Sequence, residues 1–190
     1  GLGVTVMWLN GTEILVTCGA EEAVFLAFFS LLNPGDEVLV SSPRYTSYDE
    51  AIKMWGGRVV VVPSDPADDF AFRPEAIRKF ITPRTKVINI SHTVYISGLI
   101  APIKELSEMA HRHGVLVLAD SAHGPGMLNL NLNDLGVDFW AGSPYKWLGA
   151  PCGVGIFYVR KDVQERLWPT IAMSGWDTQP DARRFETLGQ

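Results

Sequence analysis

The chain is poor in cysteine, in basic charge and in long apolar runs. Two cysteines, Cys18 and Cys152, stand among 190 residues. They lie too far apart for a local metal clip, and neither belongs to a C-x-x-C. Two buried, free thiols in a reducing, cytoplasmic setting are expected. Lys and Arg number 16 against 21 Asp and Glu, a formal charge of −5. With no basic run, this argues against a nucleic-acid partner. No apolar stretch approaches the roughly 18 residues of a membrane helix, so no membrane partner is expected. G-x-G-x-x-G after a strand and G-x-x-x-x-G-K-[ST] are both missing, so dinucleotide and P-loop readings lose support. His111 and His113 are spaced i, i+2 and share no helical face, so a metal pair is not expected. The Gly149–Gly155 segment is glycine-rich but precedes a strand and reads as a turn.

What is present is the composition of a packed domain: 47% apolar and 19% charged residues. At this length one sizeable core is expected. The start, Gly1-Leu2-Gly3-Val4, lacks Met, a charged n-region and a cleavage site, and the chain closes on Arg183 to Gln190 without a helix cap. It reads as one domain, residues 1–190, cut from a longer chain that holds a smaller second domain. Short β-branched runs alternate with helical stretches. Strands are expected at 13–17, 37–41, 58–62, 86–90, 115–119, 138–141 and 155–159. Helices are expected at about 20–32, 45–55, 73–80 and 103–113. Pro63 to Asp69 reads as a surface loop. Strands apolar on both faces and alternating with helices predict an α/β fold of three layers, α-β-α, around a mostly parallel seven-stranded sheet.

Ligands of such sheets bind at the carboxyl ends of the strands, so the residues there are the ones to inspect. Asp120 ends the run 115–119; it is either a loop cap or a carboxylate that holds a cationic ring nitrogen. Lys146 follows the run 138–141 among Trp140, Tyr145 and Trp147. Lysine is usually a surface residue, but aromatic neighbours would desolvate it and suit Schiff-base chemistry. Gly19 stands between a strand and a helix, so the N–H groups of Ala20 and Glu21 would face an anion; a plain turn suits Gly19 equally well. Ser143 and Tyr145 flank Lys146 with two hydroxyls. Tyr45 could stack on a flat ring; His92 and Tyr95 follow the fourth strand, where a Tyr could reach the ring's oxygen, and His123 could touch the ring or its oxygen. Asn89-Ile90-Ser91 matches a glycosylation acceptor but lies in a buried strand and is set aside.

Taken in order, Cys18-Gly19-Ala20-Glu21-Glu22-Ala23, Asn33-Pro34-Gly35-Asp36-Glu37, Ser91-His92-Thr93-Val94-Tyr95-Ile96-Ser97-Gly98, Asp120-Ser121-Ala122-His123-Gly124-Pro125-Gly126 and Ser143-Pro144-Tyr145-Lys146 resemble the class V aminotransferases. That family includes cysteine desulfurases, isopenicillin N epimerase-like proteins, kynureninases and C–S lyases. The resemblance spans nearly the whole chain, and its Asp120-to-Lys146 block is the specific part. It implies the large domain of a fold type I enzyme with pyridoxal 5′-phosphate held as an internal aldimine at Lys146. Asp120 would partner the pyridine nitrogen. Gly19, Ala20, Glu21, Ser143 and Tyr145 would hold the phosphate. Tyr45 takes the ring-stacking place, often His; Tyr95 the place facing the phenolic oxygen, often Asn; His123 a place that is often Gln.

Glu21 departs from the family, where Thr is common. Its carboxylate would repel a phosphate, so its side chain is expected to turn away and only its N–H to serve. Residues 184–190 resemble a segment that reaches across a dimer, with Gln190 in place of the usual Thr. The resemblance implies a homodimer with a shared site and an amino-acid substrate. Met173 to Trp176 is a candidate docking surface. Transamination, epimerisation and C–S lysis or desulfuration all remain open, the arginine for the substrate carboxylate being expected in the second domain. A module that binds the cofactor as an effector for a regulator is the alternative of another class.

Overall fold

In the computed structural model, residues 13–168 and 176–178 are described. Seven strands form one sheet: β1 (Ile14–Cys18), β2 (Glu37–Ser42), β3 (Arg58–Pro63), β4 (Thr85–Ser91), β5 (Leu116–Ser121), β6 (Phe139–Gly142) and β7 (Val154–Val159). Their order across the sheet is β1-β7-β6-β5-β4-β2-β3. Only β7 runs against its neighbours, pairing antiparallel with both β1 and β6. The carboxyl ends of the other six therefore share one edge. Each expected strand is present to within two residues at either end. Asp120, expected just past its strand, lies within β5, opposite Ser91 of β4 and Ala141 of β6.

The β-branched and aromatic runs form strands because both of their faces are covered. On one face Val38, Val40, Leu118, Phe139 and Phe157 pack with Ala23, Ala27 and Phe28 of α1 (Gly19–Leu31) and with Ile52 of α2 (Ser47–Met54). On the other face Leu39, Ile88, Val117 and Trp140 pack with Ile77 of α3 (Pro74–Arg78) and with Leu106 and Met109 of α4 (Ile103–Arg112). Successive strand residues thus alternate between two cores, and the three layers follow.

The helices carry their own start and stop signals. In α1 the first-turn Glu21 and Glu22 favour the positive helix end, and the Glu22 carboxylate accepts the Cys18 N–H at 2.5 Å. The α4 stripe Ile103, Leu106, Met109 and Ala110 is buried, and the helix stops before Gly114, whose φ is +71°.

Some expectations need correction. The second helix starts at Ser47, so Tyr45 stands in the loop before it. The third helix is shorter than expected, because Lys79 caps it. The loop after β3 holds a 3₁₀ turn, Pro66–Asp68, capped by Asp65. A short α5 (Leu132–Leu135), capped by Asn131, gave no periodic signal. Both cysteines are exposed, not buried, because β1 is an edge strand and Cys152 sits in the turn before β7. His111, set aside as a metal ligand, meets fully buried Asp138 at 2.8 Å, beside Arg160 at 2.9 Å.

Candidate active site

A cavity of about 590 Å³ opens at the shared carboxyl edge, under the amino ends of α1 and α2. Every site residue expected from the sequence lines it: Gly19, Ala20, Glu21, Tyr45, Tyr95, Asp120, His123, Ser143, Tyr145 and Lys146. Sheet register brings them together from positions as far apart as 19 and 146. Asp120 is on the α1 side of β5, the parity of Leu116 and Leu118. Lys146 stands in the loop four residues after β6.

At one end of the cavity lies the start of α1, the candidate anion cradle. Gly19 begins α1 with φ +76°, a conformation that glycine adopts freely. The Ala20 N–H donates to the buried Ser143 hydroxyl at 3.2 Å, joining the helix start to the end of β6. Close packing holds this turn from below. A Cβ on Gly155 would overlap the Gly19 carbonyl and the Thr17 hydroxyl. Gly155→Ala is therefore expected to displace the turn and to weaken pyridoxal phosphate binding by about tenfold, the loss of one charge-assisted hydrogen bond. Equilibrium titration of the cofactor checks it, and an unchanged affinity contradicts this support role.

At the other end sits Asp120. One of its oxygens accepts the Ala122 N–H at 3.0 Å, and the other accepts the Tyr48 hydroxyl. Burial pushes the Asp120 carboxyl above the ordinary range. The Tyr48 and Ala122 hydrogen bonds and the Lys146 charge oppose that rise, and Glu21 adds to it. Glu21 also lines the cavity, and its charge is felt at Asp120.

Lys146 is exposed, and its Nζ is 3.3 Å from His123 Nε2. The expected aromatic enclosure is not there. Trp140 is fully buried in the opposite core, under Gly142, and Trp147 is 56% exposed. Trp147 instead donates its indole N–H to His123 Nδ1 at 3.3 Å. An indole can only donate, so His123 accepts at Nδ1 in that contact. Burial, and next the Lys146 charge, hold the His123 pKa below the ordinary value.

Tyr45 is 42% exposed at the cavity and meets Tyr48 edge-on, ring centroids 5.8 Å apart. Tyr95 is more exposed still, at 62%. His92 points to the other face of the sheet, bonding Ser121 at 3.1 Å, and burial lowers its pKa to about 4. It does not line the cavity.

Two cavity residues escaped the sequence reading. Thr93 is buried, and its hydroxyl has no partner among the described residues. Tyr48 is 2% exposed and bonds Asp120. Arg44 is no free cation for a substrate. It forms a bidentate pair with Asp49, at 2.9 and 2.6 Å. Among the described residues no arginine lines the cavity.

This donor set fits pyridoxal phosphate. A helix start and a hydroxyl are available to a phosphate, an amine and a carboxylate line the same cavity from neighbouring strand ends, and Thr93 adds a buried, unclaimed hydroxyl. The segments 173–175 and 184–190 lie outside the described residues, as does the side chain of Trp176.

Comparison with known proteins agrees. The family model "Aminotransferase class-V" matches residues 6–186. The isopenicillin N epimerase of Streptomyces clavuligerus is 36% identical over 178 residues, 88% of this chain and 43% of that protein. A probable cysteine desulfurase of Halalkalibacterium halodurans is 32% identical over 165 residues, covering 83% of this chain and 40% of its own. The chain thus spans about two fifths of these relatives. The solved structure of the cystine C-S lyase C-DES with cysteine persulfide superposes with a TM-score of 0.83 at 23% identity, over 95% of this chain and 52% of that one. On the family match, the chain belongs to the class-V aminotransferase family.

Proposed function

We propose that this chain is the cofactor-binding large domain of a pyridoxal-phosphate enzyme that acts on an α-amino acid. One observation carries the reading. Lys146 and Asp120 face one cavity from neighbouring strand ends, with an anion cradle at Gly19, Ala20 and Ser143. Bound there, pyridoxal phosphate supplies an electron sink for negative charge at the substrate α-carbon.

The chain's own residues do the rest. Lys146 would hold the cofactor through its Nζ and, once that amine is free, would take the substrate's α-proton there. Asp120 would keep a proton on the ring nitrogen. Tyr45 would serve as the ring-stacking residue, and Gly19, Ala20, Glu21 (through its N–H), Ser143 and Tyr145 would hold the phosphate. His123 and Tyr95 would serve the phenolic oxygen, with the Thr93 hydroxyl as a further donor. The second domain and a second copy of the chain complete the site.

Transamination, epimerisation and β-elimination all share the first step, loss of the α-proton. The experiment therefore follows that step. The full-length protein, loaded with cofactor, is incubated in D₂O with single amino acids. Deuterium is expected at the α-carbon of at least one of them. The product then names the fate: a keto acid, the other enantiomer, or an eliminated β-group. Absence of exchange with every amino acid contradicts the enzyme reading and favours an effector-binding module.

A further inference from the structure

We propose that Tyr48 is a positioning residue. Together with Ser91 it forms a proton-directed relay that holds Asp120 ionised and so keeps the proton on the cofactor's ring nitrogen. The inference rests on the proposed role of Asp120 and deepens it.

The geometry is a chain of three groups. The Tyr48 hydroxyl donates to Asp120 Oδ2, and the same hydroxyl lies 3.0 Å from the Ser91 hydroxyl. A phenol has one proton. Since Tyr48 gives it to the carboxylate, Ser91 must be the donor in the second bond. The order is therefore Ser91 to Tyr48 to Asp120, each bond polarising the next. All three groups are fixed. Ser91 and Asp120 are register partners on β4 and β5, and both Ser91 and Tyr48 are buried.

The relay is anchored from outside. The Arg44–Asp49 pair ties the loop before α2 to the first turn of that helix, with both side chains largely buried. This pair braces the segment that carries Tyr45 and Tyr48, both of which line the cavity. Burial and the neighbouring Asp120 charge hold the Tyr48 hydroxyl well above its ordinary pKa, so it stays a donor throughout the working range.

The consequence has a definite sign. Asp120 is opposed by burial and by Glu21 from α1, and it is supported by Tyr48, by the Ala122 N–H and by Lys146. Hydrogen bonds to a carboxylate lower its basicity. Between a carboxylate and a pyridine, the proton then resides on nitrogen. Without the Tyr48 bond it shifts toward oxygen, leaving a neutral ring that withdraws electrons less strongly.

The test uses Tyr48→Phe in the full-length protein, with Tyr45→Phe as the control for a ring beside the same cavity. In cofactor-free protein, the Asp120 carboxyl is titrated by ¹³C NMR. In loaded protein, the ring nitrogen is read by ¹⁵N NMR with labelled cofactor. Tyr48→Phe is expected to move the carboxyl midpoint upward, to reduce the protonated-nitrogen signal and to slow turnover about tenfold. Tyr45→Phe should do neither of the first two. If Tyr48→Phe does not fold, Ser91→Ala is read the same way, with smaller shifts in the same direction.

An unmoved carboxyl midpoint overturns the relay, even if thermal stability falls. A moved midpoint with an unchanged, protonated ring nitrogen overturns its action on the cofactor. A ring nitrogen already unprotonated in the wild type sinks the role proposed for Asp120 instead, and the carboxyl titration then decides the relay alone.

Discussion

Lys146→Ala is expected to remove the visible absorption band of the cofactor-loaded protein and to cut turnover by at least about 10³-fold. Two losses combine. The Schiff base has no other amine to form on, since among the described residues Lys146 is the only lysine at the cavity. The same Nζ is the proposed general base, a role worth about 10²–10⁴ in rate. Lys146→Arg separates charge from chemistry. It keeps the cation in the cavity but cannot form the bond, so it should lose the band as well. The fold should tolerate both changes, because Lys146 is exposed and packs in neither core. A variant that keeps the band would place the bond on another lysine.

Asp120→Asn is expected to lower turnover about 10²–10³-fold, the scale of losing one preorganised charge at a reacting group. Its effect on stability should have the opposite sign. Burial raises the Asp120 pKa in the folded protein. A carboxyl with a raised folded pKa is no burden below its unfolded value, where it is protonated in both states. Stability is lost as pH rises through the unfolded value, about 3.9, toward the folded one. At neutral pH the cofactor-free Asn variant should therefore melt no lower than wild type, and below pH of about 4 the two should converge. Thermal melts across pH check this. A strongly destabilised Asn variant would mean that Asp120 is a structural carboxylate and not one kept for chemistry.

The legible parts of the fold were those carried by period and punctuation. Five β-branched runs, interrupted by stretches of helical period, specified a parallel sheet with two covered faces. Leu32 to Asp36 marked the end of α1 because Pro34 and Gly35 cannot continue a helix. The candidate cavity was legible for a related reason: ligands of such sheets bind at strand ends, and strand ends can be read. What stayed hidden depended on side-chain direction. Trp140 is adjacent to the Lys146 loop in sequence but faces the other core, a matter of strand parity. Trp147, two residues before Gly149, looked like a wall and proved to be a hydrogen-bond donor to His123. Tyr48 was hidden because a tyrosine on a helix usually packs. Its hydroxyl acquires meaning only when α2 is laid against β4 and β5. Cys18 and Cys152 were expected inside because cysteine is a small hydrophobe. An edge strand and a turn left them outside.

The central claim is a covalent bond between one amine and one cofactor, and reductive trapping tests it most directly. The full-length protein is loaded with pyridoxal phosphate, reduced with borohydride, digested and mapped by mass spectrometry. The reduced pyridoxyl phosphate is expected on the peptide containing Lys146, and on no other lysine of this chain. A modification found elsewhere, or none at all, contradicts it.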